Sequence, residues 1–226
     1  MGNFYKNLCL LGPSPSDVAA ALERHGRIAF VAPEENRMTV AFDLESDEIG
    51  DPAELGDLAL TLSQDLACPV LAAAVYDDDL LLLGLYDRGK QVGEYNSSGG
   101  STLSPSALAT AFETRHQLKV WLLLRAPRFP FFIFESYRHS LILRALGAPQ
   151  WAYATGYAYL QRGERPAGLS DSQLIHVGTP RPFSAKPWKS PTASRPRSND
   201  VERSKVIAGR LLATERNCRQ RRRCHC

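Results

Sequence analysis

Two helix-forming stretches, each set among short β-prone runs, constrain the first half of this chain more than any other feature. In "SPSDVAAALERHG" (14–26), Ser14 stands as an N-cap, Pro15 takes the first helical position and Gly26 lies just past the end. A second helix is predicted over 52–66, where Leu55, Leu58, Ala59, Leu62 and Leu66 keep the three-and-four spacing of one buried face. Before the first helix comes "NFYKNLCLLG" (3–12), which reads as a strand ending at Gly12-Pro13. Between the helices, "RIAFVAP" and "MTVAFDL" flank the turn "EENR". After the second come "PVLAAAVYD", "LLLLGLYDRG" and "QVGEYNS". The order strand, helix, strand, strand, helix, strand predicts an α+β fold for residues 1–97. Its form is a ferredoxin-like antiparallel sheet with two helices on one face.

"NSSGGSTLS" then forms a joint, and Ser104-Pro105 opens a third helix. Residues 118–134 are so continuously apolar that periodicity does not separate strand from helix. "FESYRHSLILRALG" reads as a helix, with Leu141, Ile142 and Ala145 on its docking face and Gly147 as its stop. "WAYATGYAYLQRG" reads as a strand with Tyr153, Tyr157 and Tyr159 on one parity, and "SQLIHVG" as a short last element. Residues 98–179 are therefore expected to be a smaller, mostly helical subdomain packed on the first. From residue 180 the chain turns rich in Pro, Ser and Arg, without apolar periodicity, and 180–226 is expected to be a disordered basic tail.

Charge divides at the same place. The net charge of +3 joins a body at −7 (residues 1–180, 14 Lys+Arg and 21 Asp+Glu) to a tail at +10 (13 Lys+Arg and three acids). Such a tail attracts nucleic-acid phosphate without sequence preference, and Arg219, Arg221, Arg222 and Arg223 are the candidate contacts. No basic segment followed by an apolar run opens the chain, and Lys119, Arg125, Arg128 and two prolines interrupt its longest apolar region. A cytoplasmic protein with no membrane partner is the expectation. Cys9 and Cys68, far apart in apolar segments, read as reduced core thiols.

Three groups of motifs, "MGNFYKN", "YDDDLLLLGLYDRG" with "EYNSS", and "ESYRHSLILRALGAP…ATGYAYLQRGERPAGL", together resemble a family of uncharacterised bacterial proteins. The likeness spans about residues 1–178 and implies no particular activity. It implies helix for much of 118–146. Where similar sequences read Glu-Arg-His before the apolar helix, this chain has Glu135 and then Arg138-His139.

Motifs for phosphate loops, zinc proteases and serine hydrolases are missing, and no cofactor is expected. Asp77-Asp78-Asp79 and "ESDEIGD" could offer oxygen to a hard cation, but both read better as turns. Cys218, Cys224, His225 and Cys226 are zinc-type donors, yet the adjacent triplet crowds a tetrahedron among arginines, so no metal site is expected. Glu135, Arg138 and His139 fall on one helical face at i, i+3 and i+4. A Glu-His pair suits acid–base catalysis and Arg suits anion binding, with Tyr157 as a neighbouring binding residue; an exposed salt-bridge set is the plainer alternative. The leading expectation is a non-enzymatic cytoplasmic binding or interaction protein, its partner an unidentified protein or small molecule. The alternative is a small-molecule enzyme using Glu135 and His139.

Overall fold

The computed structural model describes residues 2–48, 52–127 and 131–179, all within one compact unit, Met1–Pro180. Its centre is β1 (Tyr5–Leu11), which is buried along its whole length and pairs on both edges. Leu8 faces Ala41 of β3 (Met38–Asp43) on one side and Ala72 of β4 (Pro69–Tyr76) on the other. β2 (Ala29–Val31), β5 (Leu80–Asp87), β6 (Lys90–Asn96) and β7 (Ile175–Val177) complete a seven-stranded sheet in the order β6-β5-β4-β1-β3-β2-β7. Every neighbouring pair is antiparallel.

Two helices connect strands that are not neighbours. α1 (Pro15–Arg24) leads from β1 to β2, with β3 lying between them; α3 (Pro52–Asp65) leads from β3 to β4, with β1 between. Ser14 caps α1 as its sequence predicts, in a reciprocal capping box with Asp17. Val18, Ala21 and Leu22 of α1 share one core layer with Leu55, Leu58, Ala59 and Leu62 of α3 and with Leu8, Leu10, Val70 and Ala72 of the sheet. Short α2 (Leu44–Glu48) precedes α3, and its Glu45 joins Asp43 of β3 and Glu54 of α3 in pairing with Arg27.

The opposite parity of the same strands (Tyr5, Cys9, Leu71, Ala73) makes a second core layer. Covering it are α4 (Pro105–Ala111), α5 (Gln117–Arg125) and α6 (Glu135–Leu146). Burial on both faces explains why β4, and β1 from Leu8 to Leu11, read as continuous apolar runs without alternation. Helix is thus the outcome for the ambiguous stretch from 118 to 125.

The expected strand over 151–163 is not formed. Gln150–Ala152 is a 3-10 turn and Tyr157–Gln161 is a helix, α7. Ala154 takes a left-handed backbone (φ 49°), which ends any extended run, and Asp47 Oδ2 accepts the Ala158 N–H at 2.8 Å. That cap comes from 111 residues away, so no local pattern announces it. Tyr157 and Tyr159 consequently diverge: Tyr157 stacks on Phe30 in the core, while the Tyr159 hydroxyl meets the Phe4 N–H. The final element is a strand, β7, which extends the sheet beside β2. The expected tail and its arginines and cysteines lie outside the described residues.

Candidate functional site

α6 is held at its N-terminus by the triple-aspartate turn. Asp77 and Asp78 take left-handed backbones (φ 51° and 57°), and Asp79 N–H donates to the Tyr76 carbonyl, closing the β4–β5 hairpin. The Asp78 carbonyl then accepts the Glu135 N–H at 2.9 Å. Its carboxylate accepts from the N–H and Nδ2 of Asn3, each at 3.0 Å. Burial by itself would raise the Asp78 pKa, but hydrogen bonds from Ser136 and Asn3 outweigh it and hold the group below its ordinary value. At the other end Gly147, at φ 83°, supplies the left-handed stop.

Glu135, Arg138 and His139 do share one face of α6, and it is the inward face. Their exposures are 0%, 1% and 0%, so the exposed salt-bridge alternative is replaced by a buried cluster. Arg138 Nε lies 3.1 Å from Glu135 Oε2. Its Nη1 donates to the Ala126 carbonyl at 3.0 Å and to the Tyr95 hydroxyl, and its guanidinium lies 4.3 Å from the centre of the Phe132 ring. Ala126 is the C-cap of α5, so a cation sits where that helix leaves carbonyls unsatisfied.

His139 stacks beside Tyr5, with Nδ1 2.9 Å from the Tyr5 hydroxyl. Burial pushes its pKa down to about 3, and the imidazole is neutral at physiological pH. Among the described residues its Nε2 has no hydrogen-bond partner. Burial likewise drives the Tyr5 phenol above its ordinary range. The enclosed imidazole is therefore neutral and lies beside a phenol that keeps its proton.

Two clefts open elsewhere. One, of about 740 Å³, lies where β1, β4 and β5 end, with Arg24, Arg37, Arg88, Asp65, Asp87 and Glu113 on its walls. The other, of about 270 Å³, is a groove between α3 and the β5–β6 hairpin, lined by Leu55, Leu82, Tyr86 and Glu94 among others. Neither is lined by Glu135 or His139. Tyr157, expected to flank the pair, packs on Phe30 at 4.7 Å between ring centres and is 1% exposed. Both Cys9 and Cys68 are buried free thiols, and burial raises their pKa values to about 12 and about 11. Among the described residues no group of three or more His, Cys, Asp or Glu side chains could hold a metal, and no helix is long and apolar enough to cross a membrane.

The feature missed by motif reading is apolar. Leu118, Trp121 and Leu122 of α5, with Phe131, Ile133, Phe134 and Tyr137 at the start of α6, are all exposed. Its sequence signal is the apolar excess of 118–134, which puts large apolar residues beside Lys119 and Arg125 on the side of α5 that meets water. No family model, curated protein or solved structure matches the chain.

Proposed function

We propose that this chain is a non-enzymatic binding protein of the cytoplasm, built on a ferredoxin-like sheet and docking through the outer side of α5 and residues 131–137. The strand order β4-β1-β3-β2, with α1 and α3 as its two crossovers, supports the ferredoxin-like reading. One observation carries the function. Leu118, Phe131 and Ile133 are 70%, 65% and 70% exposed, while the only acid–base pair suggested by sequence is sealed. In this reading Glu135, Arg138 and His139 bolt α6 to α5 and the sheet. The basic tail adds a sequence-independent attraction for polyanions.

A photo-reactive side chain tests the docking face. Placed at position 122 of the full chain in cells, it should form cross-links, to protein or to lipid. At Asp57, exposed on α3 in the opposite helical layer, it should form none. Silence at 122, or equal labelling at both positions, would remove the docking face.

A further inference from the structure

α5 is apolar on both sides. Val120, Leu123 and Leu124 are buried in the core, while Leu118, Trp121 and Leu122 face outward at 70%, 47% and 52% exposure. Three large apolar side chains exposed among Gln117, Lys119 and Arg125 on one short helix exceed what its solvent side needs. The neighbouring Phe131, Ile133, Phe134 and Tyr137 continue the outward set, since Arg138 ties α6 to the end of α5. These side chains project from the surface, and neither cleft includes any of them.

Charge identifies what covers them. Between Glu113 and Glu135 the sequence contains no acid and four cations, in a body whose net charge is −7. Arg115, Lys119 and Arg125 are exposed around the apolar set, Glu113 is engaged by Arg37, and Glu135 is buried. The acidic turn 77–79 abuts the start of α6 beside Phe134, so the cations flank the α5 part of the set. A second copy docking through the same face would set these cations against themselves. Residues 181–226, at +10, carry the same sign.

We infer that this face docks on an anionic lipid surface, with Leu118, Trp121, Leu122, Phe131 and Ile133 entering the acyl boundary and Lys119 and Arg125 meeting the headgroups. Exposed Trp, Phe and Leu beside Lys and Arg are what an interfacial site requires. That no described helix is long and apolar enough to cross a membrane does not bear on this mode, which needs no crossing. The proposal deepens the docking reading above and rests on it.

The test uses the full chain carrying Trp188→Phe, which leaves Trp121 and the buried Trp151 as reporters. It should sediment with vesicles of phosphatidylcholine mixed with phosphatidylglycerol and stay in solution with phosphatidylcholine alone. Bromine on the acyl chains should quench its fluorescence, and adding Trp121→Phe should abolish that quenching. Leu118→Ser with Leu122→Ser should weaken vesicle binding about tenfold or more. The melting temperature should fall only slightly, because both side chains are more than half exposed. Sedimentation without quenching, or binding unchanged in the serine variant, would mean that the tail alone holds the vesicle, and the proposal fails. If vesicles are not bound while position 122 cross-links to a protein, the docking face stands and the lipid assignment falls.

Discussion

The Tyr5 hydroxyl lies 2.9 Å from His139 Nδ1, joining the central strand to α6 across 134 residues of sequence. The contact is inside the protein and the imidazole is neutral, so it acts as a clamp whose strength depends on pH.

With a folded pKa near 3 against an ordinary 6.5, His139 takes up a proton in the unfolded chain before it does in the folded one. Its contribution to stability is complete above pH 6.5 and is lost as pH falls from there toward 3. Urea melts should show this acid-side loss in the parent. His139→Asn, which keeps an acceptor for Tyr5, should flatten it; an unchanged slope would mean that another group is responsible.

Asp47 works in the opposite direction. Burial raises its pKa from the usual 3.8 to about 6, against the Ala158 N–H and Lys6, which favour the charged form. The folded protein therefore holds this proton while the unfolded chain has released it, and stability rises as pH drops from above 6 toward 4. Asp47→Asn should erase that gain and be at least as stable as the parent at pH 7.

Replacing Arg138 with alanine should cost about 3–5 kcal/mol in denaturant melts, because it strands a buried carboxylate and removes the donor to Ala126. Arg138→Lys should recover only part of the loss, since one ammonium cannot reach Glu135, Tyr95 and Ala126 as a planar fork does. A loss below about 1 kcal/mol would show that the cluster is solvated.

Sequence spacing marks Leu141 and Ile142 as the docking pair of α6, but Leu141 is only partly buried, whereas Ile142 and Leu143 are fully enclosed. Ile142→Ala should therefore cost about 2–5 kcal/mol. Ile142→Asp should not fold, while Leu141→Asp should be tolerated better than its place in the pattern suggests. Equal melts for the two aspartate variants would contradict the packing.

A chain ending at Thr179 should keep nearly the full-length stability in urea melts, because it retains every described strand and both described core layers. Ending at Ser172 removes β7 with Leu174 and Val177, both buried, and should lose several kcal/mol, about 1.5–3 for each buried side chain. A large loss already at Thr179 would make the tail part of the core.

What the sequence determined by itself is local. Ser14-Pro15 and Gly147 set helix ends through backbone sterics and capping, which need no distant partner. Apart from α2 (Leu44–Glu48), which forms where a turn was expected, the order of strands and helices up to residue 96 followed from such signals and from apolar spacing. The i, i+3, i+4 relation of Glu135, Arg138 and His139 was equally legible, because helix geometry alone puts them on one face. Whether that face met water or the core was decided by tertiary structure. Tyr5, Tyr95 and Ala126 converge on it from three separate elements, and burial then removed the charge from His139. The same holds for Tyr157, turned into a helix by a cap from Asp47, and for α5, which has large apolar residues on both its sides. Packing covered one of those sides and left the other in water, because burial depends on which elements meet and not on the residues of the helix alone.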